Sequence, residues 1–425
     1  MTAPAPSEAK QGKNAFMFVV VCVILNMVSF GIIMPVMPAL LEDITGLAAE
    51  QSVSIGGWLS MIFAVANFAA MPLLGGLSDR YGRRPILLIS IAMLGGDMVI
   101  MGLAPTLSIL FIGRFLGGLF AATTSVANAY IADVTEPEDR GRAFGMMGAA
   151  FGIGFILGPV FGGLLGEINP RLPFFAAAGI AALNFLYGWF VLPESLPKED
   201  RRPFKMARAN PFGAMTHFAK VPRVAWFIIV IGFFQVAQAV YPSTWNFHGE
   251  IRYEWSEFEI GLSLASVGIA SALGQAFLTG YIIKRLGEMR AGILGLTMNA
   301  LALFAFGMAD APWMAYAIIF IFVGGGVAMP AINTLTSNLT PRNAQGELQG
   351  AQASMMSFTL IFSPVVMTQT LQYFTNLPAT HPLQTAGAAF FLAGLICVLA
   401  LNPFLIGVGV NRRAIEAALS EPAAE

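Results

Sequence analysis

The chain has 425 residues, 56% hydrophobic and only 11% charged, with a net charge of −1. A water-soluble domain carries about 25% charged residues, so this chain lacks the polar surface that water demands, and its balanced charge points away from nucleic acid. The composition suits a bilayer, which needs runs of roughly 20 apolar residues for each crossing helix.

Residues 1–14 are polar and include Pro4, Pro6, Lys10 and Lys13. The apolar run that follows is too long for a signal-peptide core and has no A-x-A-type site after it, so it reads as a retained first membrane helix. Charged and Pro/Gly breaks then divide the sequence into twelve predicted helices: 16–41, 55–77, 86–104, 107–131, 142–165, 172–192, 223–247, 257–283, 290–309, 312–338, 345–374 and 382–408. The runs are too long for strands and do not alternate. One connection stands apart: 193–222 is polar, basic and Pro-rich, and reads as a linker. The expected fold is an all-α integral membrane protein. Its parts are a tail (1–14), a six-helix bundle (15–192), the linker, a second six-helix bundle (223–408) and a tail (409–425).

Lys and Arg set the orientation. One set of loops holds Lys10, Lys13, Arg80, Arg83, Arg84, Arg140, Arg142, the seven basic residues from Lys198 to Arg223, Lys284, Arg285, Arg290, Arg342, Arg412 and Arg413; the alternate loops hold only Arg171 and Arg252. Both termini and the linker are therefore predicted cytoplasmic. The bundles also repeat at an offset of 205 residues: Arg80 and Gly82 fall on Arg285 and Gly287, Asn128 on Asn333, Thr135 on Thr340, and Gly141, Gly145, Pro159 and Val160 on Gly346, Gly350, Pro364 and Val365. A direct repeat of six helices predicts two halves related by an axis along the membrane normal, with a binding site between them near the midplane.

Between predicted helices two and three lies GGLSDRYGRRPILL (75–88). Arg80, Arg83 and Arg84 would serve as a positive-inside anchor. Asp79 among them makes a compact charge network that can lock one conformational state, and Gly82 lets the chain turn. IGRFLGGLFAATTSVANAYIAD (112–133) carries Arg114 inside an apolar run, and GIGFILGPVFGG (152–163) places small residues and the kinking Pro159 beside Gly158. Small residues permit close helix packing.

These stretches resemble motif A, the helix-four motif and the helix-five G-x-x-x-G-P motif of the drug/proton antiporter branch of the major facilitator superfamily. IIKRLGEMR (282–290) resembles that family's second copy of motif A. GIIMPVMP, LSDRYGRRP, AYIADVT, PFFAAAG, LPES and ELQG resemble the tetracycline-resistance efflux proteins, from helix one to helix eleven. The resemblance implies the major facilitator fold, alternating access with Gly158 and Pro159 where the halves rock, and a bacterial inner-membrane location. It also places acids at the positions of Asn26 and Asn299 and retains a third as Asp97. An amide keeps the shape and hydrogen-bonding capacity of the acid but exchanges no proton. Asn26 then reads as a substrate-binding or helix-bridging amide, and Asn299 as a substrate-binding one.

Asp97 and Arg114 are the charged groups the sequence places well inside the bilayer. They lie at matching distances from the turn near Pro105 and Thr106, at a depth of roughly 10 Å at 1.5 Å per residue. Two readings stay open: a structural or gating ion pair, or an Asp97 that carries a proton for part of a cycle. In helix seven, Gln235, Gln238, Tyr241, Trp245 and His248 share a face. That stripe reads as cavity lining, with the aromatic belt as the alternative for Trp245 and the preferred place for His248. Asn67, Thr123, Thr124, Asn128, Gln275, Asn333 and Gln352 complete a polar, nearly uncharged candidate lining. Ser256 and Glu259 fit a capping box opening helix eight.

No G-x-x-x-x-G-K-[ST] loop is present, which argues against an ATP-driven pump. No metal-ligand spacing and no intramembrane nucleophile and base argue for a metal site or an enzyme, and no cofactor is called for. The resemblance and its helix-five motif imply secondary transport of a small amphipathic solute, driven by protons and directed outward, and a monomer is expected. A proton-independent facilitator or uptake transporter, and a non-transporting ligand sensor, are the alternatives.

Overall fold

The computed structural model describes residues 6–121, 123–136, 139–204, 222–341 and 344–420. Most of the predicted linker (205–221) and Arg342 lie outside these residues, as do the side chains of Lys10, Lys13, Thr124, Arg140, Arg223, Arg412 and Arg413. All regular structure among the described residues is helical.

Proline and glycine decide where the apolar runs break. Helix α1 (Pro6–Gly31) stops before Pro35, and a short α2 (Met37–Thr45) restarts the run with Pro38 in its first turn. The sequence predicts one helix here; a proline inside a helix removes a hydrogen bond and clashes with the preceding turn. Helix α3 (Ala49–Tyr81) runs longer than predicted at both ends and ends at Gly82, whose φ of 107° suits only glycine. Helices α4 (Arg83–Leu103), α5 (Leu107–Phe120) and α6 (Thr123–Val134) follow, then α7 (Arg140–Gly166) and α8 (Leu172–Val191). Predicted helix four is thus two pieces, α5 and α6.

The second half breaks in similar ways. Predicted helix seven becomes α9 (Pro222–Gln238) and α10 (Val240–Tyr253). Pro242 accounts for the step, and Ser243 and Thr244 donate their hydroxyls to the carbonyls of Ala239 and Val240. Helix α11 (Glu257–Leu273) opens on the capping box: the Ser256 N–H donates to Glu259 Oε2 (2.9 Å) and the Glu259 N–H to Ser256 Oγ (3.3 Å). A π-helical segment, Gly274–Thr279, leads into α12 (Gly280–Met308), which leaves helical geometry at Gly287, φ 74°. Gly82 and Gly287 are one repeat apart, and both adopt positive φ. Predicted helix ten becomes α13 (Pro312–Ile321), a 3₁₀ segment (Val323–Val327) and α14 (Ala328–Asn338), bent by 43°. Three consecutive glycines, 324–326, and Pro330 beyond them give the break its cause. Helices α15 (Gln345–Thr375) and α16 (Ala388–Ser420) complete the chain.

Among the described residues nine helices are long and apolar enough to cross a bilayer, ten if the bent pair α13 and Val323–Asn338 is one crossing. One of the nine, Glu257–Met308, runs for 52 residues. With its π-helical segment and its break at Gly287, it holds enough chain for two crossings of about 20 residues each. Met17–Gly31 is apolar but shorter.

The chain forms two compact units: Met1–Ala49 with Ile62–Pro211 and Trp255–Gly268, and Glu50–Met61 with Phe212–Glu254 and Ile269–Glu425. Relative to a division at the linker, each unit has taken a short segment from the other half of the sequence. In the first unit the start of α11 lies on α7: a Cβ on Gly163 would sit 2.4 Å from the Glu257 carbonyl oxygen, and one on Gly261 2.3 Å from that of Pro159. In the second unit the start of α3 lies on α15. Gln372 accepts from the Ser54 N–H (2.8 Å) and donates to the Gln51 carbonyl (3.0 Å), and Asn376 donates to that of Glu50 (3.3 Å). The core of the first unit is aliphatic and aromatic: Phe18, Cys22, Leu87, Tyr130 and Ile131 are fully buried together.

Arg171 and Arg252, the two exceptions to the charge asymmetry, have matching places. Arg171 donates through Nη1 to the carbonyls of Gly102 and Ala104 (both 2.9 Å) and pairs with Asp43. Arg252 donates through Nε to the Ala309 carbonyl (3.3 Å) and pairs with Asp310. Ala104 and Ala309 are C-caps of α4 and α12, one repeat apart. A cation there meets orphan carbonyls and the negative end of the helix dipole.

Candidate functional site

Among the described residues, the buried charges of the first unit form a pair. Arg114 of α5 donates through Nη2 to Asp97 Oδ2 of α4, and both side chains are buried. Glycines make room for the carboxylate: a Cβ on Gly117 would stand 2.3 Å from Asp97 Oδ2, and one on Gly113 3.2 Å from Oδ1. The guanidinium also lies over the Phe63 ring, 5.2 Å from its centre, a contact that favours a desolvated cation. Asp97 Oδ1 and Arg114 Nε are buried with no hydrogen-bond partner. Each is a polar atom whose desolvation is left uncompensated.

The other predicted polar residues of this unit lie on other helices. Asn26 is buried in α1, and Asn67 and Asn128 are half-buried in α3 and α6. Gly158 and Pro159 are packing residues: a Cβ on Gly158 would meet the Gly31 Cα and the Val28 carbonyl oxygen at 2.9 Å, and the Pro159 ring abuts Gly31. Gly154 and Gly162, a turn before and after, press on Met27 and Ile32 in the same way. The small-residue motif thus seats α7 on α1.

In the second unit Asn299 of α12 is a staple. Its Nδ2 donates to the Gly325 carbonyl (2.7 Å) in the 3₁₀ segment and to the Gly295 carbonyl (3.0 Å) in its own helix. Gly274, opening the π-helical segment, lies against Val323 of the same 3₁₀ segment. Irregular backbone from two spans therefore meets beside one amide. The helix-seven stripe divides. Trp245 is buried edge-on against Phe306 (5.1 Å) and Phe390 (6.0 Å), and Tyr241 packs on the same two rings. His248 is buried with them, its Nδ1 donating to the Ala386 carbonyl (2.9 Å). Together these side chains form a packed aromatic cluster. Gln235 and Gln238 are half-buried, and Gln238 Oε1 is buried without a partner. Gln275 and Asn333 are exposed on their unit.

The charged turn is assembled as a network. Arg83 donates through Nη1 to Asp79 (2.5 Å) and Ser78 (2.7 Å), and through Nε to Asp133 (3.2 Å) at the end of α6. Arg84 donates to the Trp189 carbonyl (2.6 Å) at the end of α8. Arg80 lies over the Tyr81 ring. The sequence did not single out Asp133 or Glu194 as members, though both lie in stretches that carried the resemblance. No cluster of His, Cys, Asp and Glu suited to a metal occurs among the described residues.

The sequence matches the Major Facilitator Superfamily over residues 19–364 and 246–418. It is 41% identical over 358 residues to the tetracycline resistance protein, class C, of Escherichia coli, covering 84% of this chain and 90% of that protein. Multidrug resistance protein 2 of Bacillus subtilis (strain 168) is 28% identical over 358 residues, 83% of this chain and 88% of the relative. In three dimensions the chain resembles a bacterial homolog of the human lysosomal transporter Spinster, in an inward-facing, unoccupied conformation. The TM-score is 0.75 at 16% identity, covering 99% of this chain and 100% of the other, a likeness of fold. The chain is a multi-pass membrane protein and belongs to the major facilitator superfamily.

Proposed function

We propose that the protein is a proton-coupled exporter of amphipathic drug-like solutes such as tetracycline, working by alternating access. On this reading the chain crosses the inner membrane twelve times, with both termini and the linker cytoplasmic. The Asp97–Arg114 pair carries the proposal: it is a buried carboxylate inside a spanning helix, held by one cation, with one oxygen unpartnered. Intramembrane ionisable groups of this kind mark proton or ion pathways. A proton arriving on Asp97 would cancel its charge and release Arg114, coupling protonation to the packing of α4 against α5. The similarity to tetracycline and multidrug resistance proteins supports the substrate class. Gln235, Gln238, Asn26, Asn67, Asn128, Gln275 and Asn333 are the proposed polar lining. The charged turn, Asp79 to Arg84, acts as a cytoplasmic latch.

A second reading, a facilitator that moves its solute without protons, draws on Asn26 and Asn299. Neither amide titrates, and Asn299 is committed to backbone carbonyls. Tetracycline accumulation in efflux-deficient bacteria decides between the two. Proton-coupled export predicts low accumulation with the parent chain and full accumulation with Asp97→Asn. A facilitator leaves tetracycline at its equilibrium level with both.

A further inference from the structure

The first residues of the linker do not leave the first unit when α8 ends; they run back across its charged turn. The Tyr130 hydroxyl donates to the Pro193 carbonyl (2.9 Å). Glu194 Oε1 then accepts from the backbone N–H groups of Arg83 (2.7 Å), Arg84 (3.4 Å), Ser195 (3.1 Å) and Leu196 (3.2 Å). Arg83 and Arg84 open α4, which has no side-chain cap from its own N-cap residue, Gly82. The first N–H groups of a helix lack partners within it and favour a carboxylate. Here the carboxylate arrives from a residue more than a hundred positions away. Its other oxygen faces Gly82, where a Cβ would lie 2.1 Å from it, and Arg201 approaches it at 3.9 Å. Ser195 Oγ donates to Asp133 (3.1 Å), the carboxylate that Arg83 also holds. Farther along, the Arg202 N–H donates to the Asp79 carbonyl (3.1 Å), and the Phe204 ring covers Gly76, 3.0 Å from where its Cβ would be.

We infer that Glu194 is a positioning residue: it anchors residues 193–204 as a strap over the turn between α3 and α4, and so holds Arg83 in its bridge between Asp79 and Asp133. The missing side chain of Gly82 serves both the turn and the carboxylate. The effect on transport rests on the proposed function, since a latch that is misplaced changes how fast the protein cycles and leaves the solute's binding residues untouched.

Amide hydrogen exchange of the full chain in detergent or nanodiscs reads the anchor without any solute. Glu194→Ala should raise exchange at Arg83, Arg84, Ser195 and Leu196 about tenfold, with the interior of α4 unchanged as a check on folding. Glu194→Gln keeps an acceptor oxygen without the charge and should raise it about threefold; if the Ala variant does not fold, the Gln variant decides. Unchanged exchange at Arg83 and Arg84 overturns the assignment. In everted membrane vesicles the Gln variant should cut the Vmax of tetracycline uptake with KM within twofold of the parent, and Glu194→Asp should recover part of the rate. A raised KM at unchanged Vmax overturns the positioning role. If the parent itself moves no tetracycline, the proposed substrate is wrong, while the exchange result still supports or overturns the anchor.

Discussion

Gly117 stands one turn beyond Arg114 on α5, and the carboxylate of Asp97 fills the space its missing side chain leaves. The ion pair therefore depends on a residue with no side chain at all. Gly117→Ala would place a methyl 2.3 Å from Asp97 Oδ2, so either the carboxylate or the helix must shift. Overpacking of this kind costs about 1–3 kcal/mol. The expected result is a lower thermal midpoint in detergent and reduced export. Gly113→Ala, with its nearest contact at 3.0 Å, should do less.

Removing one partner of the pair should harm the fold more than removing both. Asp97→Asn strands a buried guanidinium, and breaking a buried pair in this way costs about 3–5 kcal/mol. Asp97→Asn together with Arg114→Gln leaves no net charge in the site and should recover much of that stability while remaining inactive in export. Thermal unfolding of the two variants beside the parent checks the order.

The contact of α7 with α1 is backbone on backbone at Gly158. Gly158→Ala would meet the Gly31 Cα and the Val28 carbonyl oxygen at 2.9 Å, and neither can rotate away. The helices must separate, so the variant should lose stability and export together. Gly152→Ala on the same helix, where nothing lies within 4 Å, is the matched control and should behave as the parent does.

Asn299→Asp is expected to harm rather than to restore a proton site. The amide donates to two carbonyls, of Gly325 and Gly295, and an ionised carboxylate has no hydrogen to give. An unsatisfied buried polar group costs about 1–3 kcal/mol. The variant should unfold at lower temperature, and faster exchange at the 323–327 segment should accompany the loss.

Much of this was legible in the sequence because hydropathy, charge asymmetry and repetition are written in residue identity alone. The long apolar runs gave the helices, and the offset that joins Gly82 to Gly287 reappears as two positive-φ turns. Proximity in a hairpin brought Asp97 and Arg114 to the same depth, and the structure joins them. What escaped were features made by partners distant along the chain. The carboxylate of Glu194 caps a helix that begins at residue 83. Arg171 and Arg252 read as stray charges until the carbonyls of Ala104 and Ala309 are placed beside them. Asn299 carried a candidate binding role through the resemblance, which places an acid there; its amide donates to the Gly325 carbonyl in the broken backbone of the neighbouring span and to the Gly295 carbonyl of its own helix. The breaks themselves were signalled, by Pro242 and by the three glycines at 324–326, but a hydropathy window averages over them.

The central claim is that Asp97 couples solute movement to protons. The most direct measurement is proton flux in everted membrane vesicles carrying an acid interior, followed with a pH-sensitive dye as tetracycline is added. Coupled exchange predicts a tetracycline-dependent loss of the pH gradient with the parent chain and none with Asp97→Asn. Tetracycline uptake by the parent vesicles with no change in proton flux, or uptake that persists in the variant, would contradict the account.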